Sequence, residues 1–212
     1  MALNTHRTGS GYLLPSIHSF PPFFTQQKNV ATQATSTDQW IRLILSYARH
    51  HRIFYLSIGD AEDAESVWKE VLRNERISRR VLPEYLSFLI EELVSKGQAA
   101  YEPPKQNRSV TLYWKTPEEW GETLHEWVTS TGQLNTILTF YELSNPPIPT
   151  SFSGLPDVIL RRAVTYLSKS ARAQVIAVTD GEGVRFFAGN SSRRKQEEGI
   201  LILVNWPRAD GY

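Results

Sequence analysis

The chain has 212 residues, 41% of them apolar and 11% aromatic, enough to bury a core in one domain or two small ones. Lys and Arg number 23 against 22 Asp and Glu, a formal charge of +1, so no whole-chain field draws the protein to nucleic acid or an anionic membrane, and a charged partner must meet a local patch. There is no cysteine, which excludes a disulfide scaffold, a zinc ribbon, an iron-sulfur site and a thiol nucleophile and suits a reducing compartment.

Met1 to Phe20 is polar overall, carries Gly, Ser and His with Leu13 and Leu14 adjacent, and lacks a secretory apolar region. Residues 1–19 are expected to be disordered and the protein nucleocytoplasmic. Phe20-Pro21-Pro22-Phe23-Phe24 and the Gln-, Thr- and Ala-rich stretch to Thr37 read as an extended arm outside any core. Ser36, Thr37 and Asp38 offer N-cap oxygens, and Trp40, Leu43, Ile44 and Tyr47 then form one helical stripe, predicting a helix from Asp38 to His51. Ile53 to Ile58 reads as a strand and Ala61 to Arg73 as a second helix, with Arg76-Ile77 a short extended piece. Pro83 in the first turn, the stripe Leu86, Leu89, Ile90 and Leu93, and Gly97 past the end mark a third helix. Ala99 to Tyr101 and Val110 to Trp114 make a long-tipped hairpin.

Thr116-Pro117-Glu118-Glu119 is a capping-box start for a helix striped by Trp120, Leu124, Trp127 and Val128 and ended by Gly132. Thr136 to Phe140 is strand-like. Pro156 opens a further helix carrying Leu160, Ala163, Val164 and Leu167. Val175 to Val178 and Val184 to Phe187 read as strands joined by Asp180-Gly181-Glu182-Gly183. The two halves repeat one order of elements: superposing Leu160 on Leu86 and Phe187 on Trp114 gives offsets of 74 and 73 residues. Three helices closed by a β-hairpin is the winged-helix plan. The expected fold is α+β, mostly helical, with two tandem winged-helix domains at 20–115 and 116–188 and a tail of unassigned role at 189–212. The tail's apolar run, Ile200 to Val204, is far short of the roughly 20 residues of a membrane span.

Little in the sequence carries reaction chemistry. No phosphate loop is present, and Gly181 and Gly183 suit a turn. His50 and His51 are adjacent and expected to point to different sides of a helix end, unlike an i, i+4 metal pair. Asp60, Glu62, Asp63 and Glu65 fit a solvated first helical turn. There is no Gly-x-Ser-x-Gly elbow, and His125 lacks a local Ser-Asp arrangement. No enzyme activity, cofactor or metal is expected. A winged-helix pair raises DNA binding as the rival reading, which would rest on Arg161, Arg162, Lys169 and Arg172 of the second domain, since the third helix of the first presents Glu84, Glu91 and Glu92.

Phe20-Pro21-Pro22-Phe23-Phe24 is the most informative segment. Its prolines bias the arm to an extended form, and its phenylalanines must bury either against their own domain or in a partner groove, the second being slightly favoured. Pro21-Pro22-Phe23-Phe24-Thr25-Gln26, Trp40 with Leu43 to Tyr47, Trp114 with Thr116 to Gly121, Trp127-Val128, Gly132-Gln133, Tyr141-Glu142-Leu143 and Thr179 to Phe187 together, in this order and spacing, resemble the small-subunit family of the endosomal sorting complex ESCRT-II. The resemblance spans residues 20–187 and matches weakly over Ile53 to Arg76. It implies a non-enzymatic subunit of two winged helices, recruited from cytoplasm to endosomal membrane during multivesicular body sorting of ubiquitinated cargo. The family's Pro-Pro-aromatic arm docks on two larger sister subunits, which carries over to Pro21, Pro22, Phe23 and Phe24. Its second domain engages an ESCRT-III subunit, for which Val184, Arg185 and Phe187 are candidate contacts here. Membrane contact would be indirect, through the complex.

Overall fold

The computed structural model describes residues 5–178 and 181–189, and the chain divides into two compact units, Met1–Lys115 and Thr116–Tyr212. The tail assignment from Asn190 onward and the Thr179-Asp180 part of the expected turn lie outside the described residues.

The first unit begins with a small hairpin, β1 (His6–Arg7) paired antiparallel to β2 (Leu13–Leu14), followed by 3-10 turns at Ser16–Ser19 and Pro21–Phe24. This corrects the expectation of disorder over residues 1–19: residues 5–19 are folded, and Leu14 and His18 are buried in the domain. The polar composition of the segment hid it, because a hairpin this short is held by a few contacts to its neighbours rather than by its own apolar face.

Helix α1 (Val30–His51) starts eight residues before the expected Asp38. Its N-cap is Asn29, whose side chain accepts the Thr32 N–H at 3.1 Å. Ser36 and Thr37 therefore lie inside the helix, where both are buried. The polar first turns need no apolar stripe, since one cap and the Gln33 side chain, donating to the Thr37 hydroxyl at 3.0 Å, satisfy them locally. After α1 come β3 (Tyr55–Ser57), a 3-10 turn at Ile58–Ala61 and the four-residue α2 (Lys69–Leu72). The long second helix expected over 61–73 is thus a turn plus a single helical turn. Asp60 explains the break: its carboxylate accepts the Ser57 N–H at 2.7 Å and the Ser66 hydroxyl at 2.5 Å, fastening a loop rather than opening a helix.

Strands β4 (Arg73–Asn74) and β5 (Arg79–Arg80) pair across a 3-10 turn that holds Arg76-Ile77. Helix α3 (Pro83–Ser95) has Pro at its start and Gly97 at φ +67° beyond its end, the left-handed position that favours glycine. β6 (Ala99–Tyr101) and β7 (Ser109–Leu112) complete a sheet in the order β3-β7-β6. Trp40, Trp68, Leu86, Leu89, Ile90 and Leu112 fill its core.

The second unit repeats the plan with α4 (Pro117–Ser130), β8 (Ile137–Thr139), α5 (Phe140–Ser144), α6 (Asp157–Lys169), β9 (Ala173–Val178) and β10 (Gly181–Phe186). Its sheet order is β8-β10-β9. In both three-stranded sheets the first strand pairs with the last, the hairpin closing a three-helix core in keeping with the winged-helix plan. Thr116 accepts the Glu119 N–H and Glu119 accepts the Thr116 N–H at 2.8 Å, a complete capping box. Gly121 lies where α4 meets α6: a Cβ there would sit 3.0 Å from the Tyr166 ring and 3.1 Å from the Ala163 carbonyl oxygen. Glu182 and Gly183 belong to β10 rather than to a turn. Among the described residues no helix is long and apolar enough to cross a membrane.

Candidate partner-binding surfaces

The Pro21–Phe24 turn sorts its residues by side. Phe23 and Phe24 are buried, 3% and 1% exposed, whereas Phe20 is 44% exposed and Pro21 and Pro22 face solvent. Phe23 stacks face to face on Trp40, ring centres 4.3 Å apart and planes within 3°, and Phe24 meets the same indole edge-on at 5.6 Å. The Trp40 Nε1–H donates to the Phe23 carbonyl at 2.8 Å. This corrects the reading of the segment as an extended arm offering Phe23 and Phe24 to a partner groove: in this chain they are core residues. The prolines fix φ near −65°, and two successive such residues open a 3-10 turn as readily as an extended run. The turn swings both following rings inward, so the exposed part of the motif is Phe20, Pro21 and Pro22.

Beside this face lies an open groove of about 830 Å³ lined by Pro21, Pro22, Lys28, Arg79, Arg80 and Leu82, among others. Leu82 is 48% exposed, and Arg79 and Arg80 face solvent on β5. An apolar ledge beside three cations suits a protein partner that carries carboxylates next to an apolar anchor. The sequence signal for this groove was weak, because β5 and the Pro-Pro turn are more than fifty residues apart.

His18 supports the turn from beneath. It is buried, its ring 5.0 Å from that of Phe24, with Nε2 2.8 Å from the Val71 carbonyl and Nδ1 3.2 Å from the Asn74 amide nitrogen. Burial holds its pKa below the ordinary 6.5, against the opposing hydrogen bond to Val71.

At the other end of α1, Glu70 accepts the Ser10 N–H at 3.0 Å and the Ser10 hydroxyl, which also lies 3.1 Å from His51 Nε2. Burial pushes the Glu70 pKa up, but the hydrogen bonds from Ser10, Thr8 and Tyr47 outweigh it and leave a carboxylate below its usual range. Ser, His and Glu here do not form a nucleophile relay: both His51 and Glu70 meet the same serine oxygen, whereas a relay needs the carboxylate on the far nitrogen of the imidazole. The rings of His50 and His51 are 4.6 Å apart, so they lie side by side rather than on different sides of the helix end as expected.

In the second unit Val184 is fully buried, while Arg185 and Phe187 are half-exposed. Val184 therefore belongs to the core, not to a partner surface: it lies on the central strand β10, between Leu138 of β8 and Val175 of the edge strand β9. His125 meets the Phe187 carbonyl at 2.8 Å, tying α4 to the end of β10. Among the described residues of this unit, Ile137, Tyr141, Ile148 and Val175 are the exposed large apolar side chains, 38%, 74%, 78% and 43% exposed.

Two of the arginines on which DNA binding would depend are engaged within the unit. Arg172 grips the Glu122 carboxylate with two nitrogens, at 2.7 and 2.5 Å, and holds that carboxyl below its usual range. Arg161 bridges Asp157 and Glu182 at 2.6 and 2.5 Å and lies 4.2 Å over the Phe140 ring. Each pair cancels the charge that a phosphate would need.

Two units that each close a three-helix core with a three-stranded antiparallel sheet define an α+β protein, in keeping with a tandem winged-helix plan. It belongs to the ESCRT-II complex subunit family, whose model matches residues 17–154. It is similar to vacuolar protein-sorting-associated protein 25 of Danio rerio, 35% identical over 175 residues that span 82% of this chain and 97% of the relative, and to that of Homo sapiens, 34% identical over 82% of this chain and 96% of the relative. The fold is similar to the crystal structure of subunit VPS25 of the endosomal trafficking complex ESCRT-II, with a TM-score of 0.71 at 24% identity over 81% of this chain and 98% of that one. It is likewise similar to a chain in the crystal structure of the endosomal complex ESCRT-II (VPS22/VPS25/VPS36), with a TM-score of 0.68 at 24% identity over the same shares.

Proposed function

We propose that this chain is the Vps25-type subunit of an ESCRT-II endosomal trafficking complex and works through its surfaces as a non-enzymatic assembly piece. The observation that carries the reading is the near full-length match, 35% identity across 97% of the Danio rerio relative. In this reading Pro21, Pro22 and Phe20, seated on the Phe23/Phe24/Trp40 stack, contact two larger sister subunits of the VPS22 and VPS36 types, with Arg79 and Arg80 alongside. Phe23 and Phe24 act from beneath, as the base that sets the turn. The second winged helix engages an ESCRT-III subunit through half-exposed Arg185 and Phe187 together with exposed apolar residues. The chain is then recruited to endosomal membrane as part of the complex.

The test is co-expression of the full chain with VPS22- and VPS36-type subunits, followed by size-exclusion chromatography. Pro21→Ser with Pro22→Ser is expected to weaken assembly at least about tenfold, as loss of a central apolar contact does, with an unchanged melting temperature of the free chain. Assembly at wild-type affinity would overturn the assignment of this face. Against the DNA-binding reading, Arg161 and Arg172, two of the four cations on which it would rest, are paired with carboxylates.

A further inference from the structure

The hairpin at residues 6–14 precedes the family match, which begins at Ile17. It is nevertheless the far end of a strap that runs antiparallel along α1. At the helix C-terminus, Tyr12 packs edge-on against Tyr47 at 5.1 Å and its hydroxyl meets the Ser46 hydroxyl at 2.5 Å. Farther back, Ile17 shares a shallow depression with Gln39 and Leu43. Near the helix N-terminus, Phe20, Pro22 and Phe23 line a second depression with Thr32, Thr35 and Ser36, and the Gln27 N–H donates to the Gln33 side chain at 2.5 Å.

We propose that Glu70 and Tyr12 are positioning residues for the Pro21-Pro22 face: they clasp the terminal hairpin to α1 and α2 and so hold the strap on which that face is carried. This rests on the reading of Pro21-Pro22 as a partner contact. Glu70 is the centre of the clasp, accepting both Ser10 groups and lying 3.3 Å from the Tyr47 hydroxyl, whose proton is retained because burial and the Glu70 charge push its pKa up. Hydrogen bonds to a carboxylate are stronger than neutral ones. Between clasp and face the backbone has only single 3-10 turns, closed by His18 N–H to Pro15, Phe20 N–H to Ile17, Phe23 N–H to Phe20 and Thr25 N–H to Pro22, at 2.9 to 3.2 Å. Such short turns do not hold themselves, and a segment tethered at both ends opens less often than one free at its terminus. A partner that meets an already ordered face loses less chain entropy on binding.

The experiment uses the full chain, alone and with VPS22- and VPS36-type subunits, in the variants Glu70→Ala, Glu70→Gln and Pro21→Ser/Pro22→Ser. In free Glu70→Ala the amides of His18, Phe20, Phe23 and Thr25 are expected to exchange about tenfold faster, with α3 unchanged, and partner affinity to fall about three- to tenfold, the scale of one net hydrogen bond. Glu70→Gln is expected to restore both, since its amide can accept the Ser10 N–H and donate to the Ser10 hydroxyl. Wild-type exchange of the four amides in Glu70→Ala overturns the clasp. Faster exchange with unchanged affinity, while Pro21→Ser/Pro22→Ser loses assembly, overturns the positioning role and leaves the face intact. Wild-type assembly by Pro21→Ser/Pro22→Ser removes the face itself, and the positioning role with it.

Discussion

The Phe23 ring lies parallel to the Trp40 indole, 4.3 Å centre to centre, and the same indole donates its N–H to the Phe23 backbone carbonyl. One residue therefore fixes both the side chain and the main chain of the Pro-Pro turn. Phe23→Ala removes the stack and leaves a cavity over Trp40. It is expected to destabilise the first unit by about 3–5 kcal/mol, the usual cost of a buried Phe, read by urea denaturation. Trp40→Phe keeps an aromatic surface but leaves the Phe23 carbonyl without its donor. An effect of Phe23→Ala below about 1 kcal/mol would contradict the burial.

Gly121 is required by close approach and not by backbone conformation. Gly121→Ala would drive a methyl against the Ala163 carbonyl oxygen, and α4 and α6 must separate to admit it. The expected cost is about 1–3 kcal/mol, partly offset by the better helix propensity of Ala, with the loss seen in unfolding of the second unit. A stability unchanged or raised would show that the two helices give way freely.

His18 makes the first unit acid-sensitive. Its pKa is lowered in the fold from 6.5, so the unfolded chain takes up the proton first. The associated stability is complete above about pH 6.5 and drains as pH falls below that value toward the folded pKa, with a limiting slope of about 1.4 kcal/mol per pH unit. Burial sets the direction, since it penalises the charged imidazolium more than the hydrogen bond from Nε2 to the Val71 carbonyl favours it. Comparing denaturation of wild type and His18→Gln at pH 7.5 and 5.5, the wild type is expected to lose more stability on acidification. Equal losses would remove His18 as the cause.

Thr116 closes the N-terminus of α4 by a reciprocal capping box. Thr116→Ala is expected to cost about 1 kcal/mol, while Thr116→Ser, which retains the accepting oxygen, is expected to cost much less. Thermal unfolding of the two variants separates the cap from a general effect of substitution.

Local rules made much of the architecture readable. Thr116-Pro117 with Glu119, Pro83 with Gly97, and the Leu86/Leu89/Ile90/Leu93 stripe each carry their meaning within a few residues, because caps, terminators and amphipathic faces are short-range devices. The two-fold order of elements followed from them, and with it the winged-helix plan, whereas the family rested on a resemblance carried by the ordered motifs from Pro21 to Phe187.

What stayed hidden depended on partners distant in sequence. The direction in which Phe23 and Phe24 point is decided by Trp40, seventeen residues on, whose flat indole offers a stacking surface and an N–H together. Val184 reads as an ordinary strand residue, and only the place of β10 at the centre of its sheet, with Val184 fully buried, makes it part of the core. The hairpin at residues 6–14 has no apolar stripe, so its order comes from Glu70, sixty positions from Ser10. By itself the sequence determined the capped and striped helices α3, α4 and α6, the closing hairpins and the two-fold order in which they recur. Tertiary packing alone decided which side of the Pro-Pro turn is buried and which is left exposed, since stacking and carboxylate hydrogen bonds act across space and leave no periodic mark along the chain.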